Sequence, residues 1–253
     1  MNLRLLQFVI RSNNIAVITI KTFDQSRLEE AHEDFGQFLE SSFRKIRQQE
    51  ISKLIIDLRG NGGGRDVYGS LLYSYLTSKP FQYYKRLVTS TRNLPYEQFS
   101  KKKSSFNNLN DGMLNDRGGN NFQLIKEAHP NLQTILPNKF NYKGKVWFLI
   151  DGASFSTTAE FCAVARNNKR GNFIGEETGG TYCGNTSGVA KTITLPNTKI
   201  DISYDLVKYE MDVQPDKMND RGIIPEYKVL PSIDDIINHR DAQMSFTLKL
   251  ANK

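Results

Sequence analysis

The sequence predicts an α/β protein, and three observations support this. Hydrophobic residues make up 38% of the 253-residue chain, enough apolar material for one large domain or for a domain with an insertion. β-Branched or continuously apolar runs, typical of strands, alternate with segments whose apolar residues recur every three or four positions, as in amphipathic helices. Turns rich in glycine or small polar residues join them. Strand, helix, strand, turn and helix in succession are typical of α/β domains.

The first third of the chain shows this alternation. Residues 15–23, IAVITIKTF, predict a strand, and residues 28–49 predict one amphipathic helix with its apolar face inward. The stretch SKLIIDLRGNGGG predicts a buried strand over residues 54–58 that ends in a glycine-rich turn. A second helix follows, with these residues on its inner face: Val67, Leu71, Leu72, Tyr75 and Leu76.

The middle of the chain departs from this alternation. After a predicted strand over residues 83–89, residues 96–121 are dominated by Lys, Ser, Asn, Asp and Gly. A long loop in a compact domain is usually a functional lid or a mobile insertion. We therefore expect an insertion or lid over approximately residues 85–140.

The alternation then resumes. GKVWFLID, residues 144–151, predicts a strand, and a helix is expected to run to about Asn167. NFIGEE predicts a short strand, and the loop TGGTYCGNTSG follows. Residues 190–210 alternate on both sides of PNTK, which predicts a hairpin. GIIPEYKV predicts an edge strand, and short helices are expected near residues 232–238 and 241–249.

Composition and charge limit the classes of function. The formal net charge is +7, and the local excess of Lys and Arg between Lys85 and Lys103 lies in a polar stretch. We interpret this stretch as a solvated loop and expect no nucleic-acid partner. Since no apolar run approaches the length of a membrane span and the first residues do not resemble a secretory signal, the chain is expected to have no span and no targeting signal of its own.

The cysteines and histidines predict neither a metal site nor a cofactor. Cys162 and Cys183 could form one bridge or be two thiols, but they make no metal-binding cluster. His32, His129 and His239 lie far apart in the sequence without the spacing of metal ligands.

Two turns could carry chemistry. In RGNGGG, residues 59–64, the glycines could aim backbone N–H groups at an anion, although the stretch lacks the pattern of a phosphate loop or a dinucleotide fingerprint. GASFSTTAEF places hydroxyl groups between a strand and a helix. These could cap the helix, since Thr157 or Thr158 with Glu160 resembles part of a capping box, or one serine could be a nucleophile at the positive end of the helix dipole.

Four stretches in this order resemble the S41 serine peptidases, which include the C-terminal processing (tail-specific) proteases: LIIDLRGNGGG, VWFLIDGASFSTTAEF, IGEETGG and GIIPE. The resemblance runs from about Ile15 to the C-terminus. It implies the β-α spiral of the Clp protease and crotonase families, in a single catalytic domain over residues 1–253. No PDZ-like domain is recognisable between Phe23 and Leu54. The implied partner is an extended or C-terminal polypeptide segment, and the implied location is extracytoplasmic, in the periplasm or cell envelope; the oligomeric state is left open.

The resemblance also implies roles for residues of the two turns. Ser156 matches the family's nucleophile best, with Ser154 and Thr157 as alternatives. The implied oxyanion hole consists of the N–H groups of Gly63 and Thr157, and each such donor commonly contributes about 3–4 kcal/mol to catalysis.

The family's general base is where this sequence departs from the pattern. Thr181 stands where the processing proteases have a lysine, and its hydroxyl cannot accept a proton as a lysine amine does. Another residue could be the base: Lys191, Glu176, Glu177 or a histidine. A missing segment or a partner chain could instead supply it, or the site could have lost efficient hydrolysis and retained peptide binding. Asn185 is either a supporting amide or a turn residue. Acyl-CoA chemistry on a crotonase-like scaffold fits the motifs less well.

Several other residues are expected to be structural. Asp57 and Arg59 should form an ion pair or orient the glycine-rich turn, and Trp147 and Cys162 should be buried. The tyrosines at positions 73, 75, 83 and 84 could line a peptide cleft, but ordinary packing is the preferred interpretation.

Overall fold

The computed structural model describes residues 4–92, 96–100, 111–186, 188–214 and 220–253. The chain divides into two compact units. The first comprises Met1–Phe81, Ile135–Tyr182 and Val213–Lys253, and the second comprises Gln82–Thr134 and Cys183–Asp212. The first segment of the second unit overlaps most of the expected insertion, and the second segment adds residues that the sequence did not associate with it. Whether residues 85–140 act as a lid stays a prediction.

The strands are numbered along the chain as follows: β1 (Leu6–Arg11), β2 (Ile15–Ile20), β3 (Lys53–Asp57), β4 (Phe81–Gln82), β5 (Tyr84–Thr89), β6 (Leu114–Asp116), β7 (Phe122–Leu124), β8 (Thr134–Ile135), β9 (Lys145–Ile150), β10 (Asn172–Gly175), β11 (Gly184–Asn185), β12 (Ala190–Thr194), β13 (Asp201–Asp205), β14 (Lys208–Met211) and β15 (Tyr227–Lys228). The α-helices are α1 (Gln25–Glu30), α2 (Phe35–Gln48), α3 (Asp66–Ser74), α4 (Thr157–Asn167), α5 (Ile233–Ile237) and α6 (Ala242–Ala251).

A six-stranded sheet in the order β1-β2-β3-β9-β10-β15 organises the first unit. β1 and β2 are antiparallel, and every later neighbour pairs in parallel. Because parallel strands are joined by helical crossovers, such a sheet is covered on both faces and its central strands are apolar throughout. This explains the continuous apolar runs of β3 and β9, and it confirms the predicted α/β class.

The two faces of this sheet pack against different helices. Trp147 and Leu149 belong to a core cluster that includes Ala251 of α6. Phe148, between them in sequence, faces the other way because side chains alternate along a strand, and its ring packs edge-on against Phe161 of α4. The prediction that Trp147 is a core residue is confirmed, since it is 5% exposed.

The second unit contains a five-stranded sheet in the order β11-β14-β5-β7-β6 and the hairpin β12–β13. The hairpin pairs Ala190 with Asp205 and Thr194 with Asp201. The predicted hairpin around PNTK is therefore confirmed. Within residues 96–121, expected to be a long loop, β6 is a strand that pairs with β7 just beyond it, while residues 101–110 lie outside the described part of the chain.

The single helix expected over residues 28–49 is two helices, so that expectation is wrong. α1 ends at Glu30, His32 has a left-handed backbone (φ 56°), and Asp34 caps α2 by accepting the Gln37 N–H at 2.7 Å. An aspartate is a strong N-cap and starts a new helix there. The apolar residues of both helices are buried as their spacing predicted. The break between the helices is marked by Asp34, the N-cap of α2.

The other residues that were expected to be structural are buried. Tyr73, Tyr75, Tyr83 and Tyr84 are all buried, which confirms packing as their role. Cys162 is fully buried, and burial raises the pKa of its thiol. It forms no disulfide with Cys183. No helix in the described part of the chain is long and apolar enough to cross a membrane.

Candidate active site

Three turns of the first unit lie at one edge of the six-stranded sheet. The glycine-rich turn (residues 59–64) follows β3, the serine turn (residues 151–156) follows β9, and the TGG loop (residues 178–180) follows β10. Because these strands are parallel neighbours, their carboxyl ends meet at this edge. This is where ligands commonly bind in parallel α/β sheets.

Ser156 is the last residue of the serine turn and has an unusual backbone. It is the N-cap of α4, with φ 53° and ψ −126°, and its side chain makes no capping hydrogen bond. Thr157 and Thr158 lie inside the helix and are buried. The capping-box interpretation of these hydroxyls is therefore wrong. A non-glycine residue with positive φ costs about 1–3 kcal/mol, and such residues cluster at functional sites.

The two alternatives to Ser156 use their hydroxyls inside the fold. Ser154 is fully buried; its Oγ lies 3.1 Å from the carbonyl oxygen of Leu58 and accepts the Asp151 N–H at 3.1 Å. Thr157 is 1% exposed, and its Oγ1 donates to the Gly64 carbonyl at 2.8 Å. Ser156, in contrast, is only partly buried. Of the three, only Ser156 is partly exposed, and its role as nucleophile stays a prediction.

Asp151, at the end of β9, joins the serine turn to the glycine-rich turn. Its two carboxylate oxygens accept the Gly60 N–H at 3.1 and 3.0 Å, and Oδ1 also accepts the Ala153 N–H at 3.1 Å. Asp151 was not singled out from the sequence, although its place at the end of a buried strand and before a small-residue turn was visible there.

Asn61 makes a second link between these turns. It is completely buried, and its amide Nδ2 donates to the Ile20 carbonyl at 3.1 Å while Oδ1 accepts the Gly63 N–H at 3.0 Å. Its own carbonyl accepts the Phe155 N–H at 3.1 Å. Buried polar groups must be hydrogen-bonded. Asn61 therefore joins the end of β2 to the glycine-rich turn through its side chain, and binds the serine turn through its backbone carbonyl.

Gly63 lies directly against the predicted nucleophile. A Cβ at this position would be 2.8 Å from both the Phe155 carbonyl oxygen and the Ser156 Cβ, and its φ of 99° favours glycine. The structure thus brings Gly63, Ser156 and Thr157 together. The N–H of Gly63, however, donates to Asn61, so its predicted role in the oxyanion hole stays a prediction.

The TGG loop packs on the serine turn and is held from the other side by residues near the end of the chain. Gly179 donates to the Ser154 carbonyl at 3.0 Å, and an added Cβ on Gly180 would be 3.5 Å from the Ser156 nitrogen. Thr178 accepts the Ile223 N–H at its Oγ1 at 2.8 Å. Thr181 follows directly and is exposed.

Among the candidate bases of the first unit, Glu177 is committed to an ion pair. Its Oε2 lies 2.6 Å from Arg221 Nη2, and Oε1 accepts the Gly222 N–H. The hydrogen bond from Arg221 is the main cause that lowers the pKa of Glu177. A lowered pKa makes a carboxylate a weaker proton acceptor, which argues against Glu177 as a general base. Glu176 is partly buried, and His32 and His239 are exposed.

Three other candidates belong to the second unit. Lys191 is 3% exposed and lies opposite Tyr204 in the hairpin. Asn185 lies opposite Tyr209 in the β11–β14 pair, and His129 packs against the rings of Tyr84 and Tyr209. Their roles, and that of Thr181, stay predictions.

Asp57 and Arg59 form the structural ion pair that the sequence predicted. Arg59 Nη2 lies 2.7 Å from Asp57 Oδ2, and Nη1 lies 2.7 Å from Oδ1 of Asp241, the N-cap of α6. The hydrogen bond from Arg59 is the main cause that lowers the pKa of Asp241. This network ties the start of the glycine-rich turn to the C-terminal helix.

A cleft of about 860 Å³ lies at the opposite end of the same sheet, where β9 and β10 begin. We call it the amino-end cleft. Its cationic lining residues are Lys145, Arg166, Lys169, Arg170 and Lys253, with one carboxylate, Glu226.

The chain belongs to peptidase family S41, whose model matches residues 14–229. No curated protein matches it. Among solved structures, it is similar to a candidate peptidase from Parabacteroides merdae (TM-score 0.64, 20% identity, covering 98% of this chain and 64% of that one). It is also similar to the photosystem II D1 C-terminal processing protease (TM-score 0.51, 14% identity, 92% and 50%) and to mature CPAF (TM-score 0.56, 16% identity, 97% and 53%).

These similarities extend across nearly the whole chain but reach only about half to two thirds of the other proteins' lengths. At such identities they establish a shared fold. Together with the family match, they confirm the resemblance stated from the four sequence stretches.

Proposed function

We propose that the protein is a serine-type peptidase that forms an acyl-enzyme at Ser156. The observation that carries this proposal is a difference in burial and hydrogen bonding among the three hydroxyl residues at positions 154, 156 and 157. Ser154 and Thr157 direct their hydroxyls into the fold, whereas Ser156 sits partly exposed on a strained backbone at the first turn of α4. Family membership supports the same reaction class.

In this reaction the Ser156 oxygen loses its proton to a general base and bonds to the carbonyl carbon of a peptide. The resulting oxyanion would lie at the N-terminus of α4, where the helix dipole and N–H groups favour negative charge. The C–N bond then breaks, the amine leaves with a proton, and water hydrolyses the ester to regenerate Ser156.

The proposed substrate is an extended or C-terminal polypeptide segment. This rests on the family and on similarity to a protein whose name describes C-terminal processing. An extracytoplasmic location and a single catalytic domain of the β-α spiral type are proposed on the same basis. No cofactor is required for this chemistry.

The general base is proposed to be a residue other than Thr181. Lys191 is one candidate from the sequence and is 3% exposed. Glu177 is disfavoured by its ion pair with Arg221. The alternative function is a peptide-binding protein with weak or no hydrolysis, and the threonine at position 181 favours it.

The experiment is labelling with a serine-directed phosphonate probe, read as a mass shift on the intact protein. We expect wild type to be labelled at Ser156 and Ser156→Ala to be unlabelled. Ser41→Ala, which changes an exposed serine on α2, is the matched control and should label like wild type. Absence of labelling in wild type, with intact binding of peptides, would contradict the peptidase proposal and support the alternative.

A further inference from the structure

The two arginines of the amino-end cleft already have partners within the fold. Arg166 pairs with Glu226, the one carboxylate of the lining, and Arg170 donates to the carbonyls of Tyr142 and Gly144. A carbonyl carries no net charge, so Arg170 keeps a positive charge that no carboxylate balances in the described part of the chain. Because both guanidinium groups are engaged, neither is free to bind a phosphate as a two-pronged donor.

Two lysines add exposed ammonium groups to this lining. Lys145 is the first residue of β9, and Lys169 follows the end of α4. Across the described ranges, no carboxylate lies within ion-pair distance of either lysine. With Arg170, these lysines give the cleft positive charge that Glu226 does not balance. Coulomb attraction therefore favours an anionic ligand in the cleft.

Lys169 occupies a position at which glycine is usually preferred. It is the residue after the C-cap of α4, and its φ of 51° is left-handed. Its N–H donates to the Arg166 carbonyl, and the N–H of Arg170 donates to the Ala165 carbonyl, which is the hydrogen-bond pattern of a Schellman motif. A lysine in this conformation strains the backbone more than a glycine would, and such strain is common at functional positions. The retained side chain indicates a role for the Lys169 ammonium beyond ending the helix.

The rest of the lining suits a polypeptide better than a single small anion. Val146 and Trp147 are almost fully buried and Leu250 is partly buried, so the cleft has an apolar wall. Asn167 accepts the Gln214 N–H at Oδ1 at 2.9 Å, and no described residue accepts from its Nδ2. An amide of this kind can donate to a main-chain carbonyl. The volume of about 860 Å³ is that of a ligand cleft and far exceeds what one phosphate ion occupies.

We propose that the amino-end cleft binds an acidic segment of a polypeptide, whose carboxylates lie against Lys145 and Lys169. β9 runs from this cleft to the serine turn, and its six residues span about 20 Å. In the proposed peptidase the bound segment belongs to the substrate, and at least about six extended residues separate it from the bond at Ser156. This last step rests on the proposed function, whereas the binding site itself does not.

Fluorescence anisotropy of a labelled peptide tests the binding site. The probe is a peptide of alternating Glu and Gly, about ten residues long, and its neutral counterpart has Gln in place of every Glu. Both are added to Ser156→Ala, which forms no acyl-enzyme. We expect the Glu peptide to bind about tenfold more tightly than the Gln peptide, with a difference that shrinks as salt is added. Equal binding of the two peptides would overturn the proposal.

Two double variants, made in the same background, locate the binding. Lys145→Gln/Lys169→Gln should weaken binding of the Glu peptide about fivefold. Lys126→Gln/Lys228→Gln removes the same charge at exposed positions outside the lining of the cleft, and it should bind within about twofold of its parent. Equal weakening in both double variants would show a general effect of net charge and would contradict the proposal.

Lys169→Gly distinguishes binding from a role in ending α4. Since glycine suits a φ of 51°, the midpoint of chemical denaturation should not fall, whereas binding of the Glu peptide should weaken about twofold. A lower midpoint with unchanged binding would show that Lys169 acts only at the helix end, which would overturn its place in the site.

Competition tests the class of ligand. Inorganic phosphate and single-stranded DNA should displace the labelled peptide less effectively than the unlabelled Glu peptide does, and the opposite order would overturn the assignment to an acidic polypeptide. These readouts are independent of the chemistry at Ser156. Failure of wild type to react with the phosphonate contradicts the peptidase function, whereas failure of the Glu peptide to bind contradicts the site in the cleft.

Discussion

At the carboxyl ends of β3, β9 and β10, hydrogen bonds to backbone atoms join three turns into one network. At the amino ends of β9 and β10, in contrast, charged side chains line an open cleft. Asn61 accepts the Phe155 N–H at its backbone carbonyl, Asp151 accepts the Gly60 N–H, and Ser154 donates to the Leu58 carbonyl just before the glycine-rich turn. The cleft has a volume of about 860 Å³ and its arginines bind carbonyls and a carboxylate.

In the amino-end cleft, two arginines bind backbone carbonyls or a carboxylate near the ends of strands and helices. Arg170 donates to the carbonyls of Leu76, Tyr142 and Gly144, and Arg166 pairs with Glu226. α4 ends here at Asn167, where unsatisfied carbonyls and the helix dipole favour positive charge. The two ends of the sheet therefore differ in kind: buried and backbone hydrogen bonds join turns at the carboxyl end, whereas charged side chains bind carbonyls and a carboxylate at the amino end.

Gly64→Ala should have the largest effect on stability and tests whether the glycine-rich turn at the carboxyl end of the sheet is rigid. The added Cβ would meet the Phe23 backbone at 2.1 Å in a positive-φ conformation, so we expect a loss of about 4 kcal/mol or more in the free energy of unfolding. Chemical denaturation measures it. Gly62→Ala, where nothing lies within 4 Å of the added atom, should change stability by less than about 1 kcal/mol. Equal midpoints for the two variants would show that the turn is not rigid.

Asn61→Ala is expected to have the next largest effect. It leaves the Gly63 N–H and the Ile20 carbonyl without their partner, each at about 1–3 kcal/mol, so we expect a loss of about 3 kcal/mol and slower labelling of Ser156. Asn172→Ala, an exposed asparagine in the amino-end cleft, is the control and should leave both properties nearly unchanged. A stable, fully labelled Asn61→Ala would mean that the turns do not depend on this amide.

Arg170→Met should lower the stability of the fold without changing the labelling of Ser156. Burial lowers the pKa of this arginine, and its replacement leaves three carbonyls without a donor, so we expect a loss of about 1–2 kcal/mol with unchanged labelling of Ser156. Lys145→Gln, at an exposed position of the same cleft, should stay within about 0.5 kcal/mol of wild type. Slower labelling of Arg170→Met would imply that the amino-end cleft takes part in the reaction.

Asp241→Asn should have the smallest effect and a defined pH dependence. Because the hydrogen bond from Arg59 lowers the pKa of Asp241 in the folded state, its stabilisation is present at neutral pH and is lost as pH falls below about 4 through that lowered value. Asp241 is partly exposed, so we expect an advantage of wild type of about 0.5–1 kcal/mol at pH 7 that vanishes in acid. Unfolding of wild type and of Asp241→Asn is followed from pH 7 to 3. A pH-independent difference for Asp241→Asn would mean that the Asp241 carboxylate does not stabilise the folded state through its charge.

The sequence predicted those elements whose local pattern of apolar residues matches their burial in the folded protein. β3 and β9 are continuously apolar because both faces of the sheet are covered, and the turns after them carry glycine or small polar residues. The two-residue β15 was correctly expected at an edge. Ser156 was selected over Ser154 by resemblance, and the burial of Ser154 gives a physical reason for that choice.

Other features depend on contacts that a sequence pattern does not contain. β1 was not predicted, because the exposed outer half of an edge strand such as β1 lacks a clear apolar alternation. The direction of the Gly63 N–H depends on a side chain two residues away, and glycines alone predict freedom rather than direction. The second unit joins Gln82–Thr134 to Cys183–Asp212, and such long-range pairing has no local signature.

The anchoring of the TGG loop has a consequence for the order of events during synthesis. Thr178 exchanges hydrogen bonds with Ile223, and Tyr182 donates to Arg221, so the loop beside Ser156 is complete only after the chain has passed residue 223. By then the glycine-rich turn and the serine turn have long left the ribosome. A chain that ends before residue 223 therefore lacks the anchor of this loop, even when both earlier turns are present.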